Sequence, residues 1–292
     1  PAPAQYAPHR PASSAARPDY RSFTGGRFVR YPAPDVARGF MLLLIALANV
    51  GFWSYGTGRF TPLTADRIWA FINALFIHER AYPLFALLFG FGLATVVNRR
   101  MASGIDAYCQ QLTGGLRAPS AAKLDQAQEQ AAIDARRLVR RRGLWMVLFG
   151  LIHGAFFPSE IIGTYGIVAV VFAGWIARKH WKRAAILSAV IIVASIVITF
   201  VLGSLMGSPG ATPAAAANQE AGSTVTLLSY ISHGIVVWAA STVTDLVTMA
   251  VPTVFLGVRL ADTDLIAHPE RHRRLLAVIG VGGPDPYTPL RA

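Results

Sequence analysis

Long stretches of this chain contain no Lys, Arg, Asp or Glu, among them 39–58, 81–98, 143–159, 161–177 and 184–219. A charged side chain at the centre of a bilayer costs roughly 2.5–3.5 kcal/mol on insertion scales. Uncharged apolar runs of about 17–25 residues are what a helix needs to cross about 30 Å of hydrocarbon. Charge is kept out of these runs and packed between them. That partition predicts an all-α fold, a polytopic transmembrane helix bundle of about six spans with interfacial or re-entrant half-helices.

Charged residues make up 14% of the sequence and apolar ones 53%, against about 25% charged in an ordinary soluble domain. The net charge of +12 would point to nucleic acid in a soluble protein. In a membrane protein, basic loops facing anionic lipid account for it. The expected partner is therefore the bilayer, with no nucleic acid; the sequence does not specify an oligomer. The single cysteine, Cys109, rules out an internal disulfide framework and any cysteine-rich zinc site.

Along the chain, residues 1–34 are rich in Pro, Ala, Ser and Arg and read as a disordered cytoplasmic tail. Helix 1 is expected over about 35–55, with Asp35 at the positive end of its dipole. A half-helix over 66–79 leads to His78-Glu79-Arg80 and a spanning helix over 81–98. Residues 99–142 read as a basic cytoplasmic loop with its own helix near 120–142. Further helices are expected at about 140–158, 161–178 and 184–206, the last two joined by the basic turn 178–183. Residues 207–223 form an external loop. Residues 224–258 are too long for one span and read as a half-helix plus a sixth span, broken at Asp245 and Pro252. The unit 224–283 ends in a polar tail, 284–292, which reads as a truncation.

With the N-terminus inside, residues 1–38, 99–142, 178–183 and 259–274 are cytoplasmic. They hold 23 of the 27 Lys and Arg, as the positive-inside rule requires of a cell-membrane protein.

The polar residues inside or beside the spans are the candidates for chemistry. Arg38 follows Asp35 by three residues, so the two can pair on one helix face. Asn49 lies about three turns further on, deep in an apolar run, and must hydrogen-bond another helix or line a site. His153 and Glu160 are seven residues apart and share a face if the helix continues past Pro158. His153 could then act as a general base, with Glu160 orienting it and Asn49 supporting an oxyanion. The alternative is a neutral His153 bonded to a neighbouring helix and a solvated Glu160. His78 and Arg80 could position a polar substrate at the outer face or form a local ion pair. Asp245 could be a proton or substrate group, or a half-helix cap. Arg136, Arg137, Arg140 and Arg141 could bind the phosphates of an acyl-CoA or simply anchor the topology. Gly90 and Ala94 allow close helix packing. No metal-ligand spacing, Walker sequence, G-x-S-x-G or H-E-x-x-H is present.

Several ordered motifs resemble the YeiB-like bacterial membrane proteins. Pro34-Asp35-Val-Ala-Arg38-Gly39-Phe with Asn49 resembles their first-helix signature. Leu84-Phe85-Ala-Leu-Leu-Phe89-Gly90-Phe-Gly92 resembles a second segment, and Arg140-Arg-Arg-Gly-Leu with Gly150-Leu-Ile-His153-Gly-Ala a third. Leu256-Gly257-Val-Arg259 and His268-Pro-Glu270-Arg271-His272 resemble the start of the family's C-terminal domain of unknown function 418. The spacing of Asp35, Arg38 and Asn49 is also similar to the first helix of heparan-glucosaminide acetyltransferases, members of a transmembrane acyltransferase superfamily. An asparagine at that position is implicated in their acetyl-transfer site. Their loop histidine has no counterpart, since position 60 is Phe. The resemblance implies acyl transfer from a cytoplasmic donor, acyl-CoA, to a cell-envelope acceptor, with no bound cofactor. A transporter for a small solute and a non-catalytic membrane scaffold are the competing expectations.

Overall fold

A computed structural model describes residues 32–54, 81–114, 119–157, 160–206 and 226–263, with Leu265 and 269–273 beyond them. The expected half-helix 66–79, His78, Arg80, the loop 207–223 and nearly all of the N-terminal tail lie outside the described residues, as does everything after Arg273. The described residues are helical, with no strand among them. The main elements are α1 (Pro32–Ser54), α2 (Ala81–Thr113), α3 (Ala121–Phe156), α4 (Ile162–Ala177), α5 (Trp181–Met206), α6 (Leu227–Asp245) and α7 (Val251–Leu260). Three rods are long and apolar enough to cross a membrane: Ala81–Thr113, Trp181–Val201 and Leu227–Leu260; Ile162–Ala177 is apolar but shorter.

A bilayer is what the surface of α5 demands. Ile186, Val190, Val193, Ile196 and Phe200 on that helix are exposed, as are Trp145, Phe149 and Ile152 on α3. In water, continuous apolar faces of this extent would drive aggregation.

Two helix boundaries differ from the sequence-based expectation. The 99–142 segment is not mainly a loop: α2 runs through it to Thr113 and α3 begins at Ala121. The helices expected at 120–142 and 140–158 are one rod of 36 residues. Charge ends a span but does not end a helix, and the Ala-, Gln- and Arg-rich segment favours helix in water. Ser120 starts α3 by accepting a hydrogen bond from the Lys123 amide, an N-cap.

The expected break at Asp245 and Pro252 is also absent. A five-residue π-helical segment, Leu246–Ala250, joins α6 to α7, so Leu227–Leu260 is continuous. Proline lacks an N–H, and a widened turn just before it lets the helix continue without a clash. The Thr253 hydroxyl donates to the Met249 carbonyl at 2.6 Å, satisfying a backbone acceptor where lipid offers no water.

Close backbone approach holds the rods together. A Cβ on Gly90 of α2 would lie 2.1 Å from the Val254 carbonyl oxygen of α7, and one on Gly257 would lie 1.9 Å from that of Leu87. The α3–α4 hairpin closes the same way, Gly143 against Gly166. Small residues at such crossings maximise van der Waals contact, which must replace the hydrophobic effect inside lipid. Around them Val97, Val139, Tyr165, Val168, Ile176, Val254 and Val258 form the buried core.

The basic segments meet at one end of the bundle. The Lys179 ammonium donates to Asp262 at 2.9 Å, and Asn98 Nδ2 donates to the same carboxylate oxygen at 3.2 Å. Arg178 pairs with Glu129, the Tyr108 hydroxyl donates to Asp134 at 2.7 Å, and the Arg259 guanidinium lies 5.8 Å from the centre of the Trp181 ring. Lys179 takes a left-handed conformation (φ 53°) that turns the chain sharply between α4 and α5. The far end of the bundle holds the candidate site.

Candidate functional site

Helix α3 stops at Phe156, where the Phe157 amide donates back to the His153 carbonyl. It does not continue past Pro158, so His153 and Glu160 do not share a helix face. His153 is exposed among the apolar side chains of α3's outer surface, with Phe157 as its ring neighbour at 5.5 Å. The expected His153–Glu160 couple is therefore not assembled, because α3 ends at Phe156 and α4 begins at Ile162.

Glu160 turns inward instead of standing solvated at the membrane edge. It is 3% exposed. Its carboxylate accepts from the backbone amide of Ile162 and from that of Gly163 at 3.0 Å. It also accepts from Trp238 Nε1 of α6 at 3.0 Å. The first turn of a helix leaves amides without partners and carries a partial positive charge. In a lipid environment an unsatisfied amide is worth several kcal/mol, so a carboxylate at this point stabilises the start of α4. The room for it comes from missing side chains. A Cβ on Gly154 would lie 2.2 Å from Trp238 Cδ1, and one on Gly150 would lie 2.7 Å from Glu160 Oε2. Tyr230 adds a second tie between α6 and α3, its hydroxyl donating to the Phe156 carbonyl at 2.8 Å.

A second chain of contacts reaches the same region from α1. Asn49 donates to its own helix, to the Ile45 carbonyl at 3.0 Å, and accepts from the Tyr82 hydroxyl at 3.2 Å. The Tyr82 backbone carbonyl accepts from the Tyr165 hydroxyl at 3.0 Å. Asn49 thus makes the inter-helix hydrogen bond its position required. The aromatic ring of Tyr165, 1% exposed, stacks on Phe89 at 5.3 Å.

Asp245 closes the group. It is the last residue of α6, half-buried, immediately before the π-helical segment. It is not a half-helix cap, because the rod continues through it. Among the described residues no side chain or amide donates to its carboxylate. Thr164 and Thr242, 0% and 3% exposed, have hydroxyl oxygens with no hydrogen-bond partner among the described residues. They flank the group in sequence, one beside Tyr165 and one a turn before Asp245.

The structure therefore ties Asn49 through Tyr82 to Tyr165 of α4, and ties Glu160 to α6, the helix that ends at Asp245; His153 takes part in neither set of contacts. Asp35 and Arg38 pair as expected, at 2.9 Å. Arg38 also donates to the Leu88 carbonyl at 3.2 Å, which fixes α1 on α2 below the polar group. Arg136, Arg137, Arg140 and Arg141 lie midway along α3, just before its uncharged half begins. Tyr82, Tyr165, Trp238, Thr164 and Thr242 were not candidates in the sequence. Their only signal is a polar atom within an apolar run, which describes many core residues equally well. Comparison of the chain with family models, with curated proteins and with solved structures gives no match in any of the three.

Proposed function

We propose that the chain is a cell-membrane protein of about six spans, with its N-terminus and basic end in the cytoplasm, that transfers an acyl group to a cell-envelope acceptor. The observation that supports this most is the Asn49–Tyr82–Tyr165 chain. It links the residue of the first-helix motif to Tyr165 of α4, the helix whose first turn holds Glu160. Acids in that position are costly and are retained for function as a rule. The resemblance to YeiB-like proteins and to acetyltransferases supplies the reaction class.

In this reading Asp245 is the base. It takes the proton of an acceptor hydroxyl as that oxygen attacks the thioester carbonyl of the donor. The Asn49 amide steadies the charge on the carbonyl oxygen, the C–S bond breaks, and the proton passes to the departing thiolate. Glu160 positions α4 and α6, and His153 takes no part.

The test uses purified full-length protein in bilayers with labelled acetyl-CoA and envelope extract. Wild type labels the extract. Asp245→Asn lowers transfer by about 100-fold and Asn49→Ala by about 10-fold or more, while His153→Ala stays within about twofold. Absence of label with wild type, or full transfer by Asp245→Asn, overturns the reading. A solute transporter is the second reading. It is favoured by an acid beside a π-helical segment midway along a rod, where coupling-ion sites are found. It predicts proton uptake into vesicles that Asp245→Asn abolishes, with no labelled product.

A further inference from the structure

Arginines crowd the point where α3 leaves the basic end and becomes uncharged: Arg136, Arg137, Arg140, Arg141 and Arg142 precede Gly143. The acids nearby are already engaged. Glu129 pairs with Arg178. Asp134 takes the Tyr108 hydroxyl and lies 3.8 Å from Arg137. No described carboxylate meets Arg136 or Arg140.

Both side chains reach toward α4, Arg136 half-buried and Arg140 exposed at the edge. Arg140 Nε donates to the carbonyl of Val170 at 3.2 Å. Val170 is seven residues from the end of α4, about 10 Å along a helix. Arg136 runs along Gly174: its Cδ is 3.5 Å from where a glycine-replacing Cβ would stand, and Arg178 Nη1 approaches the same point at 3.8 Å. Arg136 Nε is buried and has no hydrogen-bond partner among the described residues. An orphaned buried donor is worth about 1–3 kcal/mol, more for a charged group. Three guanidiniums thus line one groove where the uncharged part of the hairpin begins.

We propose that this groove seats the phosphate of an anionic phospholipid of the inner leaflet, held by Arg136 and Arg140 with Arg178 at its rim. A phosphodiester supplies the acceptor oxygens that the guanidinium forks lack, in a geometry suited to them. Its acyl chains continue along the exposed apolar face of α3, past Leu144, Trp145 and Leu148. Basic pockets between helices on the cytoplasmic side are where such headgroups are recognised. The proposal is independent of acyl transfer.

The experiment compares full-length protein in vesicles of phosphatidylglycerol mixed with phosphatidylcholine against pure phosphatidylcholine, with native mass spectrometry of the detergent-purified protein as a second readout. Phosphatidylglycerol raises Tm by about 4 °C or more over phosphatidylcholine and stays bound in the mass spectrum. Arg136→Gln/Arg140→Gln removes both effects, and the exposed Arg141→Gln keeps them. Equal Tm in the two lipids, or an undiminished shift in the double variant, overturns the proposal. So does a shift produced by soluble coenzyme A in phosphatidylcholine alone, which would make the groove a seat for a donor's phosphates. Should the double variant not fold, Arg136→Lys, which keeps the charge but not the fork, decides by losing or keeping the bound lipid.

Discussion

At the scale of single residues, polar atoms in this chain must find partners without water. Glu160 satisfies two backbone amides and an indole N–H. Glu160→Ala leaves all three buried and destabilises the protein by about 3 kcal/mol or more, read as a fall in Tm in detergent. Trp238→Phe removes one of the three bonds and costs about 1–3 kcal/mol. Equal, negligible losses for both would show that the carboxylate is not the tie between α4 and α6. Glycine gives a second contrast. Gly257→Ala drives a methyl into the Leu87 backbone and costs about 1–3 kcal/mol. Gly39→Ala meets nothing within 4 Å and, in the helix α1, is neutral or stabilising by up to about 1 kcal/mol. Local partners were legible in the sequence: Asp35 and Arg38 follow from a spacing of three. The bond between Glu160 and Trp238, 78 residues apart, was not. No local rule says which helix an intramembrane acid will face, and α3 ends before Glu160 rather than carrying it.

At the scale of helices, the ends differ most from what charge placement predicts. The uncharged runs located α2, α4 and α5 well, because lipid selects against charge along the whole of a span. Charge composition could not find the ends, since a helix may leave the bilayer and continue in water. Hence α2 and α3 are longer than a membrane requires, at 33 and 36 residues. Pro252 read as a break because the compensating π-helical segment is a backbone adjustment with no sequence signature of its own. The helical extensions predict slow amide hydrogen exchange over 99–112 and 122–142 in vesicles open on the cytoplasmic side. Exchange at the rate of an unstructured chain in those stretches would restore the basic loop. The Tyr108–Asp134 bond ties the extensions together, so Tyr108→Phe speeds exchange there by about fivefold, the equivalent of about 1 kcal/mol.

At the scale of the whole molecule, one polarity organises everything else. Basic side chains gather at one end of the bundle, where Lys179, Asn98 and Asp262 join three rods. The polar group of Asn49, Tyr82, Tyr165, Glu160 and Asp245 lies within the bundle toward the other. The gathering of basic residues between the uncharged runs was legible in the sequence from the spacing of Lys and Arg alone; which side of the membrane that end faces is the expectation that remains to be measured. The measurement that tests it most directly uses cysteine accessibility in intact cells. Cys109 is the only native thiol, and Ala216→Cys in a Cys109→Ser background marks the segment before α6. The account predicts that a membrane-impermeant maleimide labels position 216 from outside and Cys109 only after the membrane is opened. Labelling of Cys109 in intact cells, with position 216 protected, would contradict it.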